Sequence, residues 1–199
     1  MEKRIAVYKK RLAVKKIKEY IVLSILMMKK ITLVLLFINF ITQLTAQKLP
    51  CSNPVYRQFD FWIGEWEAFG LDGKKAGDSK ISIILDSCVI LEEWTSASVQ
   101  QGLRYAGKSF NTFNATTKQW QQTWVDNVGG TNEYLQGKFE KNQIIYSSTP
   151  FKFSKDTMAV RKMTFTDLNT NKMRQHGEIS KDNGSTWTTE YDLEYRRKN

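Results

Sequence analysis

The sequence predicts an all-β domain, a single antiparallel up-and-down meander of about eight to ten strands that closes into a barrel. Three observations carry this. Short segments alternate apolar and polar residues with period two, turn residues divide them at intervals of about 8–12 residues, and nothing in residues 47–199 sustains the 3.6-residue period of a long helix. Ser79–Asp86 sets Ile81, Ile83 and Leu85 on one face and Lys80, Ser82 and Asp86 on the other. In Trp187–Arg197, Trp187, Thr189, Tyr191, Leu193 and Tyr195 alternate with Thr188, Glu190, Asp192 and Glu194. Such alternation marks strands with one buried and one wet face. Asp72-Gly73, Val128-Gly129-Gly130, Lys141-Asn142, Asn169-Thr170-Asn171 and Asp182-Asn183-Gly184 have the composition of tight turns. Short strand-to-strand connections favour a meander, and closure removes the two edges that would otherwise invite aggregation.

Charge separates a leader from the domain. The chain has 199 residues, with 30 Lys and Arg against 20 Asp and Glu. Residues 1–46 hold ten of those basic groups and two of the acidic ones, so residues 47–199 carry twenty and eighteen, close to neutral. The basic excess therefore argues for no nucleic-acid partner. Within the leader, Ile31–Ile41 is uncharged and mostly apolar, follows Met28-Lys29-Lys30 and precedes Thr45-Ala46-Gln47. A charged start, a short apolar run and a small residue at the cut describe a secretory signal peptide cleaved after Ala46. The run is too short for a spanning helix, so contact with a membrane is expected only during export. Met28 is an alternative start that would leave residues 1–27 untranslated. The expected plan is a leader over 1–46, an irregular segment over 47–58 and the barrel over 59–199, in a periplasmic or secreted protein. In an oxidising compartment Cys51 and Cys88 can pair; the alternative is two free thiols, with Cys88 packed in the core.

Phe59-Asp60-Phe61-Trp62-Ile63-Gly64-Glu65-Trp66 contains Gly-x-Trp, which resembles the opening of the calycin barrels, the lipocalin and fatty-acid-binding-protein group. The resemblance implies that Trp66 plugs a closed end and that a basic residue of the last strand packs over it. Alternation places Arg197, not Arg196, on the face of Tyr195 and Leu193, and an Arg over an indole is a cation–π contact. The chain also resembles a bacterial family of small exported domains of unknown function. The matching pieces are Phe59–Trp66, Ile84–Trp94, Trp120–Asn127, Arg174-Gln175 and the Ser180–Trp187 and Tyr195–Lys198 ending. It departs at Gly177, where that pattern has a Trp. This resemblance implies a lipocalin-like barrel and brings no activity with it.

The candidate ligand-binding residues are Trp94, Trp120, Gln122, Trp124, Asp126 and Arg174. Trp120, Gln122, Trp124 and Asp126 alternate onto one side of a strand, where aromatics would grip an apolar body and Gln122, Asp126 and Arg174 orient a polar end; the plainer reading is a barrel wall filled by Trp. Glu92 and Glu93 are adjacent and point to opposite faces, so they form no acid/base pair. Glu92, on the side of Trp94, is expected to be buried or pocket-facing and paired with an Arg. His176 is the chain's single imidazole. It excludes an ordinary multi-His zinc site and leaves haem through a proximal His176 as a minor alternative; it shares a side with Lys172, Arg174 and Glu178, and unless that polar side points inward it is a surface residue. Ser180–Trp187 matches the Asp-box pattern once, which fits a stapled hairpin and not a propeller. The expected function is a non-enzymatic exported barrel holding a small apolar or amphiphilic molecule. The alternatives are a side-chain-filled interaction module that binds a partner through loops such as 128–132, and, less favoured, an enzyme using Glu92, Asp126 and Arg174.

Overall fold

The computed structural model describes residues 15–34 and 50–198. The chain divides into two units, Met1–Lys48 and Leu49–Asn199. In the first, residues 15–34 are helical, and their side chains are exposed. Among the described residues no helix is long and apolar enough to cross a membrane. Most of the apolar run Ile31–Ile41 and the expected cut after Ala46 lie outside the described residues.

The second unit is all β. Its strands are β1 (Gly64–Gly70), β2 (Lys75–Ile84), β3 (Val89–Gln100), β4 (Leu103–Asn114), β5 (Gln119–Asp126), β6 (Thr131–Glu140), β7 (Gln143–Ser147), β8 (Phe151–Ser154), β9 (Thr157–Asn169), β10 (Lys172–Ser180) and β11 (Thr188–Arg197). β1 to β7 pair antiparallel in chain order, β7 pairs with β9, β9 with β10, β10 with β11, and β11 returns to β1. Ten strands thus close the barrel, with β8 a short outer strand on the start of β9. All five turns expected from composition join strands. Lys141 and Asn142 both take positive φ, as a two-residue hairpin turn requires. One expectation is corrected at this corner. Leu85 and Asp86, placed by alternation on a strand, belong to a turn with Cys88, and Leu85 is 70% exposed.

That corner is strained. Leu85, Asp86 and Ser87 have φ of 51°, 51° and 74°, three non-glycine residues in the left-handed region at about 1–2 kcal/mol each. What holds them comes from the N-terminal segment: Cys51 is disulfide-bonded to Cys88, and the Arg57 guanidinium donates to the Ser87 carbonyl. The expected irregular segment is two 3₁₀ turns, Pro54–Arg57 and Asp60–Trp62, the first capped by Asn53, whose side chain accepts from the Val55 amide. They carry Phe59 and Trp62 into the end of the barrel, where both are fully buried.

The closed end is the hydrophobic core. Phe59 stacks on Trp62 at 4.9 Å between centroids, Trp62 lies 4.6 Å from Phe165, and Trp120 and Tyr146 meet Phe59 edge-on. Trp66 is fully buried and donates its indole N–H to the Trp62 carbonyl at 2.7 Å. The Arg197 guanidinium sits 4.2 Å over the Trp66 ring, donating to the carbonyls of Ile63 and Thr170, both at 2.9 Å. Gly64 has φ +133°, and a Cβ there would overlap that guanidinium. The Gly of Gly-x-Trp is thus required by its own backbone and by the arginine, not by the indole.

Two outcomes follow for stability in urea. Cys88→Ser should lower the unfolding free energy by about 4 kcal/mol, from the 37-residue loop the bridge closes. Arg197→Ala should cost about 2 kcal/mol and Gly64→Ala a similar amount; the double variant should cost clearly less than their sum, since removing the guanidinium removes the overlap.

Candidate functional site

Above the core the lumen stays open. A cavity of about 480 Å³ occupies the half of the barrel opposite the closed end. Inward residues along each strand stack in layers, so the cavity has a polar floor and an aromatic wall.

The floor is a hydrogen-bond network. Glu92, from β3, is 3% exposed, and its two carboxylate oxygens accept from Ser79 Oγ and Ser109 Oγ, both at 2.9 Å. Asn111 Nδ2 donates to Ser109 Oγ at 3.0 Å, and Asn111 Oδ1 accepts from Gln122 Nε2 at 2.9 Å and from the Tyr146 hydroxyl at 3.1 Å. Across the barrel the Tyr195 hydroxyl donates to Gln175 Oε1 at 2.6 Å. These partners meet the requirement that buried polar groups be bonded. Burial pushes the Glu92 carboxyl up to about 7, against the opposing pull of the Ser109 and Ser79 hydrogen bonds. The arginine partner expected for Glu92 is not there. The cavity's one arginine, Arg161, is turned to Glu190, with Nε–Oε2 and Nη2–Oε1 distances of 2.8 and 2.9 Å.

Trp94, Trp124, Tyr105, Tyr134 and Tyr191 form the wall. Glycines on neighbouring strands make the room. A Cβ at Gly77 would run into Trp94, one at Gly107 into Trp124 and one at Gly177 into Tyr191. Each ring leans over the adjacent strand and lies along the wall instead of across the lumen, so an all-aromatic layer leaves space. Burial raises the Tyr134 hydroxyl to about 12, Arg161 pulling the other way, and burial also raises Tyr191 strongly.

Of the residues singled out from the sequence, Trp94, Gln122 and Trp124 line the cavity. Trp120 does not; it is buried at the closed end, 5.8 Å from Phe59, with its N–H on Gln58 Oε1 at 3.1 Å. Asp126 stands outside the lining and shapes its rim. It accepts from the amides of Val128 and Gly130 and from Tyr105 and Trp124, and these bonds outweigh desolvation and hold its carboxyl below the usual range. Arg174 is the clear correction: it lies on the outer face of β10, ion-paired with Asp192. A one-residue shift decides this, because side chains alternate across the wall and the inward neighbour is Gln175. Glu92, Asp126 and Arg174 therefore do not converge.

His176 also faces outward, with Nε2 2.9 Å from Thr189 Oγ1 and Nδ1 3.7 Å from Glu178. It does not line the cavity, so a haem in the lumen would not find its expected proximal ligand. Among the described residues no group of three or more His, Cys, Asp or Glu side chains could hold a metal ion. The Asp-box segment is the hairpin joining β10 to β11. Asp182 accepts from the Thr186 hydroxyl and amide at 2.6 and 2.8 Å and from Ser180 at 2.7 Å, which lowers its carboxyl to about 2. Sequence reasoning missed the wall tyrosines and the Arg161–Glu190 pair; the Tyr191–Leu193–Tyr195 alternation was the one available signal for any of them. No protein-family model matches the chain, and no curated protein matches it in sequence.

Glu92 makes stability depend on pH. Its folded-state value, about 7, lies above the ordinary glutamate value of 4.5. The folded state therefore keeps a proton that the unfolded state has lost between these values, and stability falls as pH rises through that window. Denaturation from pH 4.5 to 8.5 should show a decline on the order of 3 kcal/mol attributable to this residue. Glu92→Gln, which keeps two acceptor–donor contacts to the serines, should flatten it.

Proposed function

We propose that this protein is an exported, lipocalin-like binding protein that holds a small, largely apolar or amphiphilic molecule inside its barrel. The observation that carries this reading is the open lumen. Its volume of about 480 Å³ falls within the range of small-molecule sites, roughly 300–1,000 Å³. An aromatic wall over a hydrogen-bonded polar floor is the composition such sites have, apolar area for affinity and a few fixed polar groups for orientation. It favours this reading over a barrel filled by its own side chains.

The closed end supports the likeness to the calycin barrels, since Trp66 under Arg197 is the arrangement that likeness implies. Export rests on the leader's composition, and the Cys51–Cys88 disulfide is compatible with it, because such bonds persist in oxidising compartments. The catalytic alternative loses its basis, as the three side chains it needed are apart.

A neutral amphiphile, decanol, should produce a saturable change in tryptophan emission, since Trp94 and Trp124 line the cavity. Leu193→Trp fills lumen from β11 and should weaken that binding at least tenfold while leaving the far-ultraviolet spectrum unchanged. A native mass spectrum of the purified protein should show extra mass that is lost on denaturation. No response to decanol together with a bare native mass would overturn the reading.

A further inference from the structure

We infer that the cavity selects an organic cation: an ammonium group, carried on an apolar body, that comes to rest beside the Glu92 carboxylate under the aromatic wall. This deepens the proposed binding function and rests on it.

The first observation is a charge without a partner. Glu92 lines the lumen from the first half of β3, almost wholly buried, and receives one hydrogen bond on each oxygen, both from neutral serine hydroxyls. A carboxylate has about four acceptor positions, so two remain beyond the serine bonds on a residue that lines the cavity. The groups around it carry no free positive charge. β2 offers Ser79, β4 offers Ser109 and Tyr105, β5 offers Gln122, β6 offers Tyr134, β10 offers Gln175, and β11 offers Tyr191, Tyr195 and Glu190. Arg161 on β9 is engaged bidentately by Glu190, so that pair is neutral overall. With Glu92 ionised, the lumen carries net charge −1. Buried charges are ordinarily paired, and the complementary group here is a cation that the protein itself does not supply.

The second observation is independent of charge. Trp94, Trp124 and Tyr191 lean over the wall because Gly77, Gly107 and Gly177 leave room beside them, and Tyr105 lines the cavity with them. Rings laid flat turn their faces, not their edges, to the lumen, and the negative face of an aromatic ring attracts ammonium groups. Asp126 sharpens this at the rim: it accepts from the Tyr105 hydroxyl and the Trp124 indole N–H, putting negative charge at the outer ends of both rings. A fatty-acid site would have the opposite polarity, a free Arg or Lys at the floor. Here the floor is acidic.

The surface does not explain a preference for cations, because residues 47–199 hold a slight excess of basic groups. The experiment compares three ligands with one ten-carbon body by calorimetry on the purified protein: decyltrimethylammonium, decanol and decanoate. The quaternary ammonium stays charged at every pH, so any pH dependence belongs to the protein. At pH 8.5 it should bind at least tenfold more tightly than the other two, and its affinity should rise at least fivefold from pH 5.5 to 8.5 as Glu92 ionises. Glu92→Gln should abolish both the preference for the cation and its pH dependence. Should that variant fail to fold, the pH series on the native chain still decides. Binding of decanol with no preference for the cation, or affinity for the cation that falls as pH rises, would overturn this inference alone; failure of all three ligands to bind, together with a bare native mass, would overturn the binding function with it.

Discussion

The Trp66 indole is enclosed on one side by the Arg197 guanidinium and tied on the other, through its N–H, to the carbonyl of Trp62. Nearly everything in the barrel depends on that enclosure. Arg197 belongs to the last strand and Trp66 to the first, so the contact lies across the seam where the sheet closes on itself. Closure turns every second side chain inward, and ten strands enclose more volume than aliphatic residues of one layer can fill. The N-terminal segment supplies what is missing by inserting Phe59 and Trp62. One end is therefore solid and the other is left open.

The solid end is also where strain is kept. Three successive left-handed residues at the β2–β3 turn are tolerated because the segment bearing the plug is bonded to that turn twice, through Cys51–Cys88 and through Arg57. Plug and turn constrain each other. The same contacts fix the position of β3, the strand that presents Glu92 to the lumen two residues above the core residue Ile90.

Glycine and serine make the open half possible. Inward glycines accept the neighbouring aromatic rings, and inward serines of β2 and β4 flank the carboxylate with donors small enough to leave it facing the lumen. A carboxylate so placed is neither fully compensated nor freely hydrated, which is why its titration moves toward neutrality. Groups displaced in this way by burial are enriched at functional sites. That enrichment and the unfilled cavity point to the same place in the molecule.

Period-two alternation and turn composition were enough to establish the class of fold, because both are local: they depend on the pleat and on which residues accept tight turns. The phase of β11 likewise placed Tyr191, Leu193, Tyr195 and Arg197 on one face, and Gly-x-Trp marked the closed end. Other features depended on relations between strands. Arg174 and Gln175 are adjacent polar residues, and only the register against β9 and β11 decides which one enters the lumen. Trp120 and Trp124 share a face of one strand yet lie at opposite ends, one in the plug and one in the cavity wall, because depth along the barrel is set by the whole sheet. No local pattern shows that Glu92 is flanked by Ser79 and Ser109, thirteen residues before it and seventeen after, instead of an arginine. Alternation names the two faces of a strand; what each face meets is decided by closure.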